Sequence, residues 1–283
     1  MENFDAFDAW IGKKEILTDF SNQRPIAMMQ ALLNQQDKQL DELPHLYHWL
    51  YFLPIVNGKS LAEDGHPKKG GFLPPIPFPK RMWAGGRLQF LKPIAVNQNI
   101  RRESEIIKID FKQGKSGNMY FVTVKHSVFA NEQLAIVEEQ DIVYREATNQ
   151  VQPGKPVAAA IPEAKHYTYK KTFPVNTTTL FRYSALTFNS HKIHYDRPYS
   201  MEQEGYPGLV VHGPLLATLL VHTFKQENPD KQITSFDFRA VKPVFDFNQF
   251  HICGDIQAGE AELWIEHADG QPAMKAKVTY KEG

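Results

Sequence analysis

From Leu215 to Phe224 the chain carries a dense apolar run, LLATLLVHTF, directly after His212-Gly213-Pro214. A run this apolar predicts a helix buried on most of its circumference rather than a surface helix with one greasy stripe. A shorter helical run, Leu180–Phe188, precedes it, and His166–Val175 before that reads as a strand. Beyond the buried helix, Ile233–Val244, Phe250–Gln257, Glu260–His267 and Ala273–Tyr280 read as four strands, with Ala268-Asp-Gly270 as a hairpin turn. Upstream the plan is similar but less legible. Residues 1–40 read as helical, around Asp5–Trp10 and Arg24–Leu33, and residues 44–56 fit helix or strand equally. Strand patterns follow at Gly86–Leu91, Arg101–Asp110, Tyr120–Phe129 and Leu134–Tyr144. Helical material followed by antiparallel strands, twice over, predicts an α+β protein in two units, residues 1–147 and 165–283, with 148–164 as a linker.

Between Asn57 and Gly86 the composition shifts to Gly, Pro and Lys. Pro67, Pro74, Pro75, Pro77 and Pro79 exclude a regular helix or central strand there. Phe72, Phe78 and Trp83 nevertheless predict that this segment packs against something. The chain's 283 residues, 42 % hydrophobic and 23 % charged, suit a globular protein. Thirty-two Lys and Arg balance thirty-two Asp and Glu, so no overall field favours nucleic acid or an anionic membrane. The single cysteine, Cys253, excludes an internal disulfide and reads as a small buried residue of a strand. An acidic N-terminus and no long apolar span predict a cytoplasmic protein without a membrane segment.

Candidate chemistry concentrates between the two apolar helices. Asn189, His191, His194, Tyr195 and Asp196 fall within eight residues, and His212 stands at the start of the buried helix. Free N–H groups and partial positive charge at that helix end suit an anionic or polarised group. His191 and His194 are three apart, whereas zinc helices favour four, and no acidic partner shares their motif, so no metal is expected. P-loop, dinucleotide-binding and nucleophile-elbow patterns are absent. Asn176-Thr-Thr178 matches a glycosylation acceptor that an intracellular chain would not use.

At these residues the chain resembles the MaoC-like hydratases and dehydratases of the hotdog superfamily, which act on acyl thioesters. Their motif ends in an aliphatic residue and His, matched by Ile193-His194, and continues with a His-Gly opening the central helix, matched by His212-Gly213. The motif's Asp and Asn are here Asn189 and His191. That departure, with the stretch Pro74–Gly86, is similar to a branch holding mitochondrial 3-hydroxyacyl-thioester dehydratases and mesaconyl- or itaconyl-CoA hydratases. The resemblance implies a double hotdog, each unit a sheet wrapped around a central helix, with the N-terminal unit degenerate. It implies His194 as the proton-transfer residue, Gly213 as donor of an N–H to the thioester oxygen, and Asn189 as a positioner of water. An amide cannot take a proton near neutrality, so Asp196 is weighed as a substitute acid, against its reading as a turn residue. His191, His212 and Tyr195 are expected around them, as loop supports or pocket wall.

The implied activity is hydration of a 2-enoyl-CoA, with coenzyme A as part of the substrate and no cofactor. A dehydratase acting on acyl-carrier-protein thioesters and a non-catalytic acyl-thioester-binding protein are the alternatives. Monomer and homodimer are both compatible with a double hotdog. A short branched dicarboxylic substrate would need a cation, and Arg182 and Arg239 are the arginines nearest in sequence. Arg239 shares a strand face with Asp237, which also fits a solvated ion pair.

Overall fold

The computed structural model describes residues 7–114, 117–146 and 166–283. The expected linker, 148–164, lies wholly outside the described residues. In the first half, strand β1 (Lys14–Phe20) leads into helix α1 (Gln23–Leu32) and, after a long irregular stretch, into β2 (Lys80–Phe90). Three long strands follow, β3 (Asn99–Gly114), β4 (Gly117–Ala130) and β5 (Gln133–Arg145). The second half runs β6 (Tyr169–Thr172), α2 (Thr177–Leu186), α3 (Gly213–Glu227), β7 (Lys231–Ala240), β8 (Phe250–Gln257), β9 (Glu260–His267) and β10 (Pro272–Glu282).

All ten strands join one antiparallel sheet in the order β1-β3-β4-β5-β2-β7-β10-β9-β8-β6. Outward from the seam, the first half lays down its second, fifth, fourth, third and first strands. The second half does the same. Two copies of one topology are thus joined edge to edge through β2 and β7, which is the double hotdog arrangement. The seam depends on glycine: a Cβ on Gly85 would sit 2.5 Å from the carbonyl oxygen of Phe238, and one on Gly86 3.1 Å from that of Glu139. Gly85-Gly86 therefore lets β2 pair Gly85–Gln89 with Ser235–Arg239 of β7 while β5 holds its other edge.

Helix α3 is buried as its composition requires: every residue from Leu215 to Val221 is inside, with Thr223 and Phe224. It packs against β7, β8, β9 and β10. In β7, Phe236 and Phe238 face the core while Asp237 and Arg239 are exposed, and in β10 Ala276, Val278 and Tyr280 alternate inward. Asn176 caps α2 through a capping box with Thr179, so the glycosylation-like triplet is a helix start. The first half has no counterpart of α3 among the described residues. Residues 33–79 fill that place with irregular backbone and short 3-10 turns, one of them Tyr47–Leu50, so residues 44–56 form neither a regular helix nor a strand.

Three expectations change. Residues 14–20 form an edge strand where helix was expected; one edge pairs with β3 and no residue of it is fully buried, so its apolar signal is weak. The strand expected at His166–Val175 shortens to Tyr169–Thr172, also an edge. β2 begins at Lys80, not Gly86, directly after the last proline. As expected, the proline-rich segment packs: Phe72, Leu73, Ile76 and Phe78 join Tyr120, Val122, Ile142 and Tyr144 in a second apolar cluster.

Candidate active site

Helix α2 ends at Leu186, and Phe188 in the left-handed region turns the chain sharply back. Asn189 then clamps the turn: its N–H donates to the Ser184 carbonyl (2.8 Å) and its Oδ1 accepts from the His191 N–H (3.0 Å). A 3-10 turn, Lys192–His194, puts His194 below the strand-like segment that carries Val210. Nδ1 of His194 donates to the Val210 carbonyl oxygen at 2.7 Å. Because a carbonyl only accepts, Nδ1 must carry the hydrogen, and Nε2 of the neutral ring is left with a lone pair. The ring stacks on His212 (centroids 3.7 Å apart, planes 19° off parallel), and Nε2 of His212 shares a 2.8 Å hydrogen bond with Ser184 Oγ.

The site does not end with the second half. A tight turn of the first half, Ala62–His66, docks onto the 189–194 stretch, with Lys192 N–H donating to the Asp64 carbonyl (2.9 Å) and Ser190 Oγ to that of Gly65. Gly65 has φ +90°, and a Cβ there would lie 1.9 Å from the Ser190 carbonyl oxygen. Only glycine permits that contact and that backbone together. The turn brings His66 within 4.0 Å, ring to ring, of His191, which itself meets the His194 ring edge-on at 5.5 Å. Asp64 Oδ2 accepts from His66 Nδ1 at 3.0 Å and its Oδ1 from the His66 N–H at 2.9 Å. The result is a file, Asp64–His66–His191–His194–His212–Ser184, that crosses between the halves.

Burial sets the charge state. It pushes His194 down to about 4, the Val210 hydrogen bond opposing it, and holds His212 well below the ordinary imidazole range, with His194 and His191 adding to the effect. His191 is lowered in the same way by burial, then by its neighbours His66 and His194. His66 is lowered by burial, with Asp64 opposing and the positive charges of Arg81 and Lys69 assisting. Burial alone would raise the Asp64 carboxyl, but the hydrogen bonds and charge of His66 outweigh it and leave Asp64 well below the usual carboxylate range. The file is therefore four neutral rings and one carboxylate at neutral pH.

Of the residues singled out from sequence, the structure brings together His191, His194, His212, Asn189 and Gly213. Gly213 is the first residue of α3, and its nearest neighbour across the seam is the Trp83 carbonyl of β2, at 3.9 Å from an ideal Cβ. Asp196 is a turn residue: its Oδ1 accepts from Tyr199 N–H (3.1 Å) and its carbonyl from Ser200 N–H (2.9 Å). Tyr195 is exposed and ties its hydroxyl to the Ser190 carbonyl. Arg239 is not gathered into the site. It lies on the exposed face of β7 with Asp237, lining a cleft of about 630 Å³ shared with Arg87, Asp255 and Lys275. Arg182 is exposed on α2. The cations near the histidines are instead Arg81 of β2 and Lys69.

Asp64, His66, Ser184 and Arg81 were not anticipated. The available signal was an Asp-Gly-His triplet within the Gly- and Pro-rich segment, which spacing along the chain could not connect to residue 191. Asp64, His66 and His191 hold their donor atoms within 4.8 Å of one another. Both Asp64 oxygens are engaged by His66, so the carboxylate serves the imidazole and the three do not form an open ligand set.

Two like half-sheets joined edge to edge, one of them wrapped around the buried helix α3, define a double hotdog, and neutral histidines gather at the N-terminus of that helix. A model of the family "Hydroxyacyl-thioester dehydratase type 2" matches residues 46–246, and the chain belongs to that family. It is a hydro-lyase of the MaoC-like kind. The mesaconyl-C(4)-CoA hydratase of Chloroflexus aurantiacus is 43 % identical over 276 residues, 95 % of this chain and 96 % of that one. The mitochondrial hydroxyacyl-thioester dehydratase type 2 of Schizosaccharomyces pombe is 28 % identical over 89 % of this chain and 93 % of its own. Among solved structures, a MaoC-like dehydratase from Phytophthora capsici superposes with a TM-score of 0.68 at 13 % identity, covering 96 % and 97 % of the two chains. No helix among the described residues is long and apolar enough to cross a membrane.

Proposed function

We propose that the chain hydrates a short, branched, dicarboxylic 2-enoyl-CoA of the mesaconyl type, coenzyme A being part of the substrate and no other cofactor being used. The observation that carries the chemistry is His194: buried, neutral, with Nδ1 spent on Val210 and Nε2 free beside the N-terminus of α3. Water adds at the β-carbon, its O–H bond breaking as the C–O bond forms and its proton passing to an imidazole. The π electrons move to the thioester oxygen, where the Gly213 N–H and the helix dipole meet the developing charge. The proton then reaches the α-carbon and the thioester carbonyl re-forms. Asn189 fixes the loop that holds this geometry.

The substrate class rests on the full-length likeness to a mesaconyl-C(4)-CoA hydratase. In such a thioester the free carboxylate sits on the carbon that receives the hydroxyl. A cation is therefore required in the pocket, and Arg81, whose charge is felt at His66 and His191, is the candidate, the Lys69 ammonium already donating to the Ile76 and Phe78 carbonyls. The test is a panel of enoyl-CoA thioesters, followed by loss of the conjugated absorbance. Mesaconyl- or itaconyl-type thioesters should exceed crotonyl-CoA in kcat/KM, and Arg81→Gln should erase that preference by about 10- to 100-fold while sparing crotonyl-CoA. Better turnover of straight chains of eight or more carbons would move the assignment to fatty-acid dehydration. No turnover at all would leave a thioester-binding protein. The cytoplasm is the proposed compartment, against the mitochondrial address of the yeast relative.

A further inference from the structure

We infer that the Asp64–His66 pair, delivered by the turn of the first half, is the acid–base couple of the site and does the work of the carboxylate that Asn189 replaces. This rests on the hydratase reading. The family motif pairs its His with an Asp, and here that position holds an amide whose oxygen is already committed to the His191 N–H. A carboxylate is nevertheless present. It arrives from 125 residues upstream, judged by the Ser190–Gly65 contact, and it is coupled to an imidazole rather than presented bare.

Three features fit proton transfer better than mere packing. Asp64 fixes the tautomer of His66: a carboxylate accepting at Nδ1 leaves Nε2 as the lone-pair nitrogen. The same carboxylate balances the imidazolium that forms when Nε2 takes a proton, the arrangement seen wherever a base is supported by a third group. His66 is also the most open ring of the file, its side chain 22 % exposed where His191, His194 and His212 are 7 %, 8 % and 1 % exposed as residues. A group that meets water and substrate must be reachable, and His66 is.

In the forward reaction His66 Nε2 takes the proton of the attacking water as the C–O bond forms, and Asp64 holds the resulting positive charge. The proton returns to the α-carbon, so His66 ends neutral and nothing is oxidised or reduced. His194 keeps its own lone pair at Nε2, two rings further along the file. His66 is thus the catalytic residue and Asp64 its positioning residue.

The experiment compares full-length wild type, His66→Ala, His66→Gln, Asp64→Asn and Asp64→Glu on the best enoyl-CoA of the panel, with circular dichroism on each. His66→Ala and His66→Gln should lose on the order of a hundredfold or more in kcat with KM nearly unchanged. Added imidazole should restore at least part of the His66→Ala rate, which a packing role would not allow. Asp64→Asn should lose about 10- to 100-fold, with Asp64→Glu recovering part of it. Folded His66 variants that keep a near-normal rate, or a His66→Ala loss that imidazole does not relieve, would overturn the assignment. So would inhibition of wild type by a chelator and its reversal by zinc, which would make the pair a metal site. If wild type hydrates no thioester, the hydratase reading falls and this inference with it; if wild type is active and the variants are too, only the inference falls.

Discussion

At the scale of single residues, the site is governed by what each polar atom already has as a partner. Asn189 occupies the place of an acid but its Oδ1 accepts from the His191 backbone N–H, a bond that ties the loop together. Asn189→Ala, which removes that acceptor, should therefore lower kcat, whereas Asn189→Asp, which keeps it, should retain or raise the rate. Asp196→Asn should be mild, since an amide oxygen can still accept from Tyr199; steady-state rates on one substrate decide. Titration gives a second expectation. The folded pKa of His194 is about 4 against about 6.5 unfolded, so between those values the unfolded chain binds more protons. Stability is then fully retained above pH 6.5 and falls as pH drops through that window, by about 3 kcal/mol for this ring alone. Melting temperatures between pH 7 and 4 should show the loss, and His194→Phe should lessen it. The same substitution, or His194→Ala, should reduce turnover by on the order of a hundredfold or more at neutral pH.

At the scale of elements, legibility follows burial. Helix α3, the β2–β5 strands and the β7–β10 strands announce themselves because their faces are buried against something large, and β10 or β4 alternate accordingly. The edge strands β1 and β6 carry no such imprint. Asp64 and His66 were hidden for another reason: neither composition nor spacing shows which distant loop a turn will touch. Arg239 was half legible, since the alternation of β7 already placed it beside Asp237 on the face away from Phe236 and Phe238. The turn Ala62–His66 is the element most sensitive to a small change. Gly65→Ala would add a Cβ against the Ser190 carbonyl and strain a left-handed residue, which costs about 1–3 kcal/mol. The melting temperature should drop by a few degrees. The rate should drop far more, at least tenfold, because the displaced turn carries His66 away from His191. Equal, small losses in both would mean that the turn is only a brace.

At the scale of the whole molecule, the repeated strand order raises the question of why two halves do not make two sites. The second half supplies a long helix whose N-terminus meets the seam, and the first half supplies the loop that closes over it. The reciprocal arrangement is missing among the described residues: between α1 and β2 the first half has no counterpart of α3, and the buried histidines there are tied to neighbouring side chains. His48 Nε2 lies 2.9 Å from Glu138 Oε2, and Trp49 Nε1 donates to the same carboxylate at 3.1 Å. His126 is likewise engaged, by Ser104 at 2.8 Å and Gln140 at 3.1 Å. Groups so committed hold a core together, with His48 Nδ1 the one nitrogen of these two rings left buried and unpartnered. The first half has thus become a scaffold and a donor of one loop. It follows that each chain should bind roughly one acyl-CoA, whatever its oligomeric state. Calorimetric titration with a saturated thioether analogue, which cannot be hydrated, should give a stoichiometry near one per chain in wild type. His48→Gln should leave that stoichiometry and the rate unchanged while lowering the melting temperature. Two equivalents per chain would mean that the His48–Glu138 region is a second binding site, and the division of labour between the halves would have to be redrawn.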